Sequence, residues 1–456
     1  MHLNPELLKK YSYTGPRYTS YPTAPRFSGR FGETEWKEEL RAIREKQRNL
    51  SLYFHIPFCD TLCYYCGCHQ IVTRQYRRAE EYLELLEREL RQVGAHFGEK
   101  NAVSRIHWGG GTPTYLKPKD IEGLSSSIRA AFSIAPDAEI SCEADPRELT
   151  REHVSALVEC GFNRISLGVQ DLDEAVQRSV NRLQPESLVR RVYGWMREAG
   201  FRSINIDLML GLPFQNVESF SHTLETVIDL SPERLAVFKY AHLPGQIRHQ
   251  KVIAEKDLPD LETRLALQIL VNEKLRDAGY IGIGMDHYAK AGDDLVRAQH
   301  DRTLKRSFQG YSAERDCDLI GFGASGISET ESAYAQNESD LDSYRIRIRE
   351  GKLGISRGVR LTPDDRIRRS AIMDIMCVSG IEIGPFSEKW GIEFERYFSE
   401  SLGKLEPLRD DGLVRILPER IEVTETGHFF LRQIAMAFDA YLDQSRSGDP
   451  LYSQTL

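Results

Sequence analysis

From Leu50 onward, short apolar runs alternate with longer stretches in which apolar residues recur every three or four positions. The runs "LSLYFHIP", "VSRIHWGGG", "AEISCEADP", "NRISLGVQ", "SINIDLMLGLP" and "RLAVFKYAHLP" each end in glycine, proline or a polar group, as buried strands do. Between them lie helical patterns. In "AEEYLELLERELRQVGAHF", Tyr82, Leu86, Leu90, Val93 and Phe97 mark one face at helical spacing. Two further β-rich runs, "YIGIGMDHY" and "DLIGFGASGIS", follow the long helix at "LETRLALQILVNEKLRDAG".

Repeated β-then-α units predict an α/β fold with parallel strands and crossover helices. A barrel or partial barrel, with ligands at the C-terminal strand ends, is the expected form. A doubly wound open sheet is the alternative. The unusual residues favour the barrel. The cysteines, Gly109 to Gly111, Glu143 with Asp145, Gln170 and Asp207 fall at or near the ends of successive strands, and a barrel gathers such ends on one face. The expected organisation is an N-terminal arm over residues 1–48, a β/α barrel over 49–360 and a smaller domain over 361–456. The arm is rich in tyrosine (Tyr11, Tyr13, Tyr18, Tyr21) around Arg17. The last segment reads as helices with a hairpin at "LVRILPERIEVTETG", in the order of a winged helix.

Composition narrows the partners. The chain has 456 residues, 41% hydrophobic and 28% charged, with a formal net charge of −8. That balance suits a soluble globular protein and gives no help to nucleic-acid binding. Residues 361–456 carry 11 Lys and Arg against 17 Asp and Glu, which argues against a DNA-reading winged helix. The N-terminus has no apolar signal core, and no apolar run reaches membrane-spanning length, so a cytoplasmic protein with reduced thiols is expected.

Of the eight cysteines, four crowd into "YFHIPFCDTLCYYCGCHQ": Cys59, Cys63, Cys66 and Cys68. Structural zinc sites draw two pairs of ligands from separate turns, whereas C-x3-C-x2-C-x-C comes from one loop. The x3 and x2 gaps suit three corners of an iron–sulfur cube. Three thiolates leave the fourth iron open to an amine and a carboxylate, the pair that S-adenosylmethionine offers. "GFGASG", Gly321 to Gly326, matches a dinucleotide fingerprint in letters, but the chain after it lacks the apolar period of the required helix.

The C-x3-C-x2-C pattern after a first strand resembles the radical S-adenosylmethionine superfamily, whose members use a partial or full β/α barrel. "SLYFHIPFC", "CYYCGC", "HWGGGTPTYL", "EADPRE", "GVQD", "NIDLMLGLP", "YAHLP", "FQGY" and "GPRYTSYPTA" together resemble the oxygen-independent coproporphyrinogen III oxidases over nearly the whole chain. The resemblance implies a [4Fe-4S] cluster on Cys59, Cys63 and Cys66. It places Tyr53, Gly110, Glu143 and Ile327 at one S-adenosylmethionine, and Tyr65, Gly111, Thr112, Gln170, Arg182, Asp207 and Ala241 at a second. Cys68 is the one catalytic candidate, its task open between electron or hydrogen transfer and packing under the loop. Arg17 and Arg26 are the substrate candidates, on an arm expected to close the barrel mouth.

The implied reaction turns two propionates of coproporphyrinogen III into vinyl groups, giving protoporphyrinogen IX. A 5′-deoxyadenosyl radical removes hydrogen from the propionate β-carbon, and CO₂ and one electron then leave. An electron donor and acceptor are implied but not identified, and a monomer that binds neither nucleic acid nor membrane is expected. A haem-binding protein on the same barrel and a zinc-stabilised regulatory protein are the competing readings.

Overall fold

The computed structural model describes residues 5–98, 100–313, 317–442 and 452. The outermost parts of the expected first and last segments lie outside these residues. Six apolar runs form parallel strands: β1 (Leu50–Ile56), β2 (Val103–Gly110), β3 (Ile134–Ala144), β4 (Arg164–Gln170), β5 (Ser203–Leu210) and β6 (Arg234–Lys239). Each pairs in parallel with the next in chain order. β1 is buried along its whole length, as a parallel strand covered on both faces should be.

The crossovers between these strands carry α1 (Arg77–Gly94), α2 (Pro118–Ala131), α3 (Arg151–Glu159), α4 (Glu186–Glu198) and α5 (Val217–Leu230). After β6 comes α6 (Leu261–Asp277). On α1, Tyr82, Leu86, Leu90 and Val93 are buried as their spacing requires, and Phe97 packs against the same core just beyond the helix end. Several helix starts are fixed by side-chain caps. The backbone N–H groups of His153, Ser219 and Thr263 donate to Thr150, Asn216 and Asp260 at the starts of α3, α5 and α6.

The sheet extends past both sides of this block. Beyond β6 lie β7 (Tyr280–Gly282) and β8 (His287–Lys290), both in antiparallel pairings, with β8 against β6. Beyond β1 lies β9 (Asp318–Phe322), parallel to it. β10 (Ile327–Glu329), β11 (Ala333–Asn337) and β12 (Ile355–Arg360) follow in antiparallel pairings. The order is β12-β11-β10-β9-β1-β2-β3-β4-β5-β6-β8-β7, and the two edge strands do not pair. A doubly wound sheet needs a reversal of strand order, and β1 to β6 have none. Residues from β2 through β6 surround one cavity, so the sheet curls into a barrel that stays open.

Two runs that read as single elements are hairpins. "YIGIGMDHY" divides into β7 and β8, with the Tyr311 ring filling the space that a side chain on Gly284 would need. "DLIGFGASGIS" divides into β9 and β10 around Gly323, whose φ is +87°. The glycine sequence is therefore a turn between antiparallel strands, not the strand-to-helix turn of a dinucleotide site. Glu89, buried on α1, braces this turn by accepting from Gly323 N, Asn337 Nδ2 and Tyr344 OH, each at 2.7 Å.

The C-terminal segment opens with α7 (Pro363–Val378), started by reciprocal bonds between Thr362 and Asp365. The strands Gly380–Glu382, Arg420–Val423 and Val414–Ile416 make a small antiparallel sheet, with the expected hairpin in place. Its core holds Ile372, Ile375, Phe394, Phe398 and Phe438 together with Leu8, Tyr11, Tyr18 and Tyr21 of the arm. Tyr18 OH donates to Asp439 Oδ2 at 3.0 Å, and Tyr21 OH accepts from Ala440 N at 3.0 Å. No helix among the described residues is long and apolar enough to cross a membrane.

Candidate functional site

The cysteine loop leaves β1 and is pinned from several directions. Phe58–Cys59 pairs in parallel with Ile71–Val72. Tyr64 N donates to Val180 O at 3.0 Å, and Asn181 Nδ2 to Leu62 O at 2.8 Å. From the segment after β6, the His249 ring donates to Cys66 O at 2.6 Å, and Gln250 Nε2 to Tyr65 O at 3.1 Å. Loops from three strand ends thus hold the thiols over the C-terminal face of the sheet, where a parallel barrel places its chemistry.

A cavity of about 390 Å³ opens beneath the loop. Cys59, Cys63, Cys66 and Cys68 line it with Tyr65, Gly110, Gly111, Thr112, Glu143, Gln170, Arg182 and Asp207. Eight of the eleven expected cofactor positions therefore meet the expected cluster ligands in one place. Tyr53 stands behind the wall, its ring stacked on His107 at 6.0 Å and its hydroxyl donating to His55 Nδ1 at 3.0 Å. Ala241 lies at the shoulder of the loop, its carbonyl accepting from Gln250 Nε2 at 3.1 Å. Ile327 sits on β10 against Phe27, Tyr334 and Leu361.

The substrate candidates lie elsewhere. Arg17 donates to Lys239 O at 3.2 Å and lines a second cavity. Arg26 donates to Tyr441 O at 2.8 Å and its guanidinium stands over the Tyr441 ring, facing the C-terminal helices.

Backbone shape adapts the wall to a close ligand. Gly110 has φ +121°, and a β-carbon there would strike the His55 ring at 2.7 Å. Glu143 accepts from Gly110 N at 3.2 Å and contacts His107 Nε2 at 3.3 Å. Gln170 holds a left-handed φ of +66°, unusual for a side chain of its kind, where the pairing of β4 with β5 skips a residue.

The thiols sit among directed charges. Arg182 Nη1 and Arg147 Nη2 donate to Cys63 Sγ at 3.4 and 3.5 Å. Both arginines pair with Asp145 Oδ2, at 2.9 and 2.6 Å. Burial opposes the Asp145 charge, but the two guanidinium groups outweigh it and hold the carboxyl at about 2. A hydrogen bond from Cys68 brings the Cys66 thiol down to about 6, while burial pushes Cys59 up to about 12 against a contact with Thr112 Oγ1 at 3.3 Å. Burial lifts Asp207 to about 6 despite hydrogen bonds from Ser166 and Asn205.

The cavity floor is a closed ion-pair network. Arg105 and Arg164 pair with Glu139 at 2.9 and 2.6 Å, Arg164 also with Asp294 at 2.8 Å, and Arg234 with Asp293 at 2.8 Å. With Arg147 and Arg182 held by Asp145, every arginine lining this cavity is engaged by a carboxylate. Asp145, Arg147, His107 and this floor were not singled out for roles by sequence, although "EADPRE" and "HWGGG" contain the first three.

The residues fit the expected groups. Among the described residues no three His, Cys, Asp or Glu side chains gather to hold one metal ion. Three thiols on one loop suit the separate irons of a cubane. Buried polar atoms without partners, Gln170 Oε1, Arg182 Nε and Gln309 Nε2, belong to cavity-lining residues, as the wall of a site for a polar cofactor would have.

Comparison with known proteins gives a concordant picture. The chain matches the Radical SAM superfamily over residues 53–227 and the HemN C-terminal domain over residues 361–430. The oxygen-independent coproporphyrinogen III oxidase of Salmonella typhimurium strain LT2 is 46% identical over 439 residues, covering 96% of this chain and 95% of that protein. The enzyme of the same description from Synechocystis is 39% identical over 455 residues, covering 99% and 97%. A solved structure, the coproporphyrinogen III oxidase of Escherichia coli described as a radical SAM enzyme, superimposes with a TM-score of 0.92 at 44% identity. It covers 97% of this chain and 100% of that one.

Proposed function

The chain belongs to the oxygen-independent coproporphyrinogen III oxidases, a family of radical S-adenosylmethionine enzymes, and from that premise we propose how its residues serve the reaction. The reaction is the oxidative decarboxylation of two propionates of coproporphyrinogen III to vinyl groups, giving protoporphyrinogen IX. Cys59, Cys63 and Cys66 hold three irons of a [4Fe-4S] cluster. When bound, the cluster and S-adenosylmethionine supply a 5′-deoxyadenosyl radical.

The observation that carries this assignment is that three thiols, a backbone cradle and a carboxylate share one cavity at the strand ends. Glu143 faces the cradle of Gly109 and Gly110, where it can receive an ammonium group. Arg182 and Arg147 hydrogen-bond the Cys63 sulfur and are themselves fixed by Asp145. Thr112 hydrogen-bonds Cys59, and Cys68 hydrogen-bonds Cys66, so the thiols meet the cluster already oriented. Gln170, Asp207 and Tyr65 line the part of the wall assigned to a second S-adenosylmethionine. Phe238 and Tyr311 give the cavity apolar surface that keeps water from a reactive radical. The protein works as a cytoplasmic monomer, with an external electron donor and acceptor completing the balance.

The test is anaerobic. The protein is reconstituted with iron and sulfide, then given reductant, S-adenosylmethionine and coproporphyrinogen III. Two CO₂ per protoporphyrinogen IX and formation of 5′-deoxyadenosine are expected. Deoxyadenosine without CO₂, or haem binding without either product, overturns the assignment.

A further inference from the structure

A further cavity lies at the end of β1 and β9 opposite the cysteine loop. Arg48, just before β1, and Asp318, the first residue of β9, line it. At about 3.3 Å per residue, the length of β1 puts roughly 20 Å between this end and the loop. The cavity measures about 400 Å³, a volume suited to a small molecule. Its other wall belongs to the C-terminal segment: Arg366 and Arg369 of α7, and Trp390, which ends the helix Ile383–Trp390.

Three carboxylates line the cavity, and each already holds a cation. Asp318 pairs with Arg48 at 2.6 Å, Glu329 with Lys305 at 3.3 Å, and Glu331 with Lys46 at 2.8 Å and with Arg366. Arg306 and Arg369 are left over. Arg306, only 5% exposed, donates its Nε to Arg17 O at 3.3 Å and stands 4.7 Å over the Tyr311 ring. Arg369 donates to the carbonyls of Thr330 and Glu331 at 3.1 and 2.7 Å. Among the described residues neither guanidinium meets a carboxylate at ion-pair distance.

Unused donors collect in the same place. Arg306 Nη1, Arg366 Nε and Trp390 Nε1 are buried without a partner, and all three residues line this cavity. Among the described residues no buried side-chain acceptor of its wall is left in that state. A buried donor without an acceptor costs free energy that a bound acceptor recovers. Donors and positive charge without matching acceptors select an anion with oxygen atoms to offer.

We propose that Arg306, Arg366, Arg369 and Trp390 form a binding site for a small molecule carrying a phosphate or carboxylate group, at the joint between the barrel and the C-terminal segment. The bound anion ties α7 to the hairpin of Lys305–Ser307 and Gly310–Ser312, which carries Arg306. Through Arg306 it also bears on the arm at Arg17 O and on Tyr311, which lines the cysteine cavity. The site stands apart from the reaction proposed at the cysteine loop and does not depend on it.

The test uses the full chain carrying its cluster, kept anaerobic, with ionic strength held constant by potassium chloride. The probes are inorganic phosphate and acetate. The midpoint of thermal unfolding reads occupancy, because a ligand that binds only the folded state raises it. A saturable rise above the chloride baseline is expected with phosphate or acetate, and the probe that saturates at the lower concentration identifies the group. Arg369→Gln should weaken the apparent affinity about tenfold, the loss of one charge-assisted contact. Glu329→Gln, which frees Lys305, should strengthen it severalfold, a gain that misfolding cannot produce. The proposal is overturned if neither probe exceeds chloride, or if both variants keep the concentration dependence of the parent. The midpoint needs no turnover, so this result is independent of CO₂ release from coproporphyrinogen III.

Discussion

Glu143 Oε1 lies 2.8 Å from the point where a β-carbon on Gly109 would stand. Carboxylate and bare backbone share one volume, so the acid reaches the cavity only because position 109 has no side chain. Gly109→Ala should push the carboxylate aside and weaken S-adenosylmethionine by about tenfold, or roughly 1.4 kcal/mol. Calorimetry on the reconstituted protein measures this, with Glu143→Gln as the companion that loses the charge and keeps the shape.

Arg147 adds a second hydrogen bond to Cys63 Sγ beside that of Arg182. Hydrogen bonds and positive charge at a ligand sulfur stabilise the reduced cluster and raise its potential. Arg147→Gln should therefore shift the cluster potential downward by tens of millivolts while cluster content is kept. A redox titration followed by electron paramagnetic resonance, without S-adenosylmethionine, reads the shift. An unchanged potential would remove Arg147 from the tuning of the cluster.

The three-plus-one division of the cysteine loop has a direct chemical readout. Cys59→Ser, Cys63→Ser and Cys66→Ser should each lose the cluster, whereas Cys68→Ser should keep full iron and acid-labile sulfide. Metal and sulfide analysis after anaerobic reconstitution distinguishes them, and a full cluster in any of the first three would reassign the ligands.

Burial raises the Glu89 carboxyl to about 7 despite the three hydrogen bonds it accepts. A carboxyl whose pKa is higher in the folded state binds its proton more tightly there. Stability from this group is therefore full at low pH and falls as pH rises from the unfolded value near 4.5 through about 7, by up to about 3 kcal/mol. The melting temperature of Glu89→Gln should lack this component. The difference between the two profiles, compared from pH 5 to 8, carries the sign.

Much of this geometry is written in local pattern. The runs that became β1 to β6 are continuous and apolar because parallel strands are covered on both faces, and the thiol spacing needs only one loop. What escaped the pattern depends on partners distant in sequence. Nothing around Gln170 announces a left-handed backbone, since the shape comes from a skipped residue in the pairing of β4 with β5. Arg147 and Arg182 are ordinary surface-forming residues by composition, and only the fold brings both onto Asp145 and Cys63. The turn at Gly323 reads as a nucleotide fingerprint in letters, and its antiparallel exit is decided by the pairing of β9 with β10. Lys239 reads as the polar end of a strand, and that its ammonium meets no partner among the described residues is decided by the fold around it.

Tyr18 and Tyr21, from the beginning of the chain, complete the core of a segment that begins at residue 361. On the ribosome these tyrosines emerge before that segment and must wait for more than 300 residues before their neighbours exist. The arm and the C-terminal segment therefore close as one clasp. Removing either end should expose the apolar half of the other, so a truncated chain would lose its clasp from both sides at once.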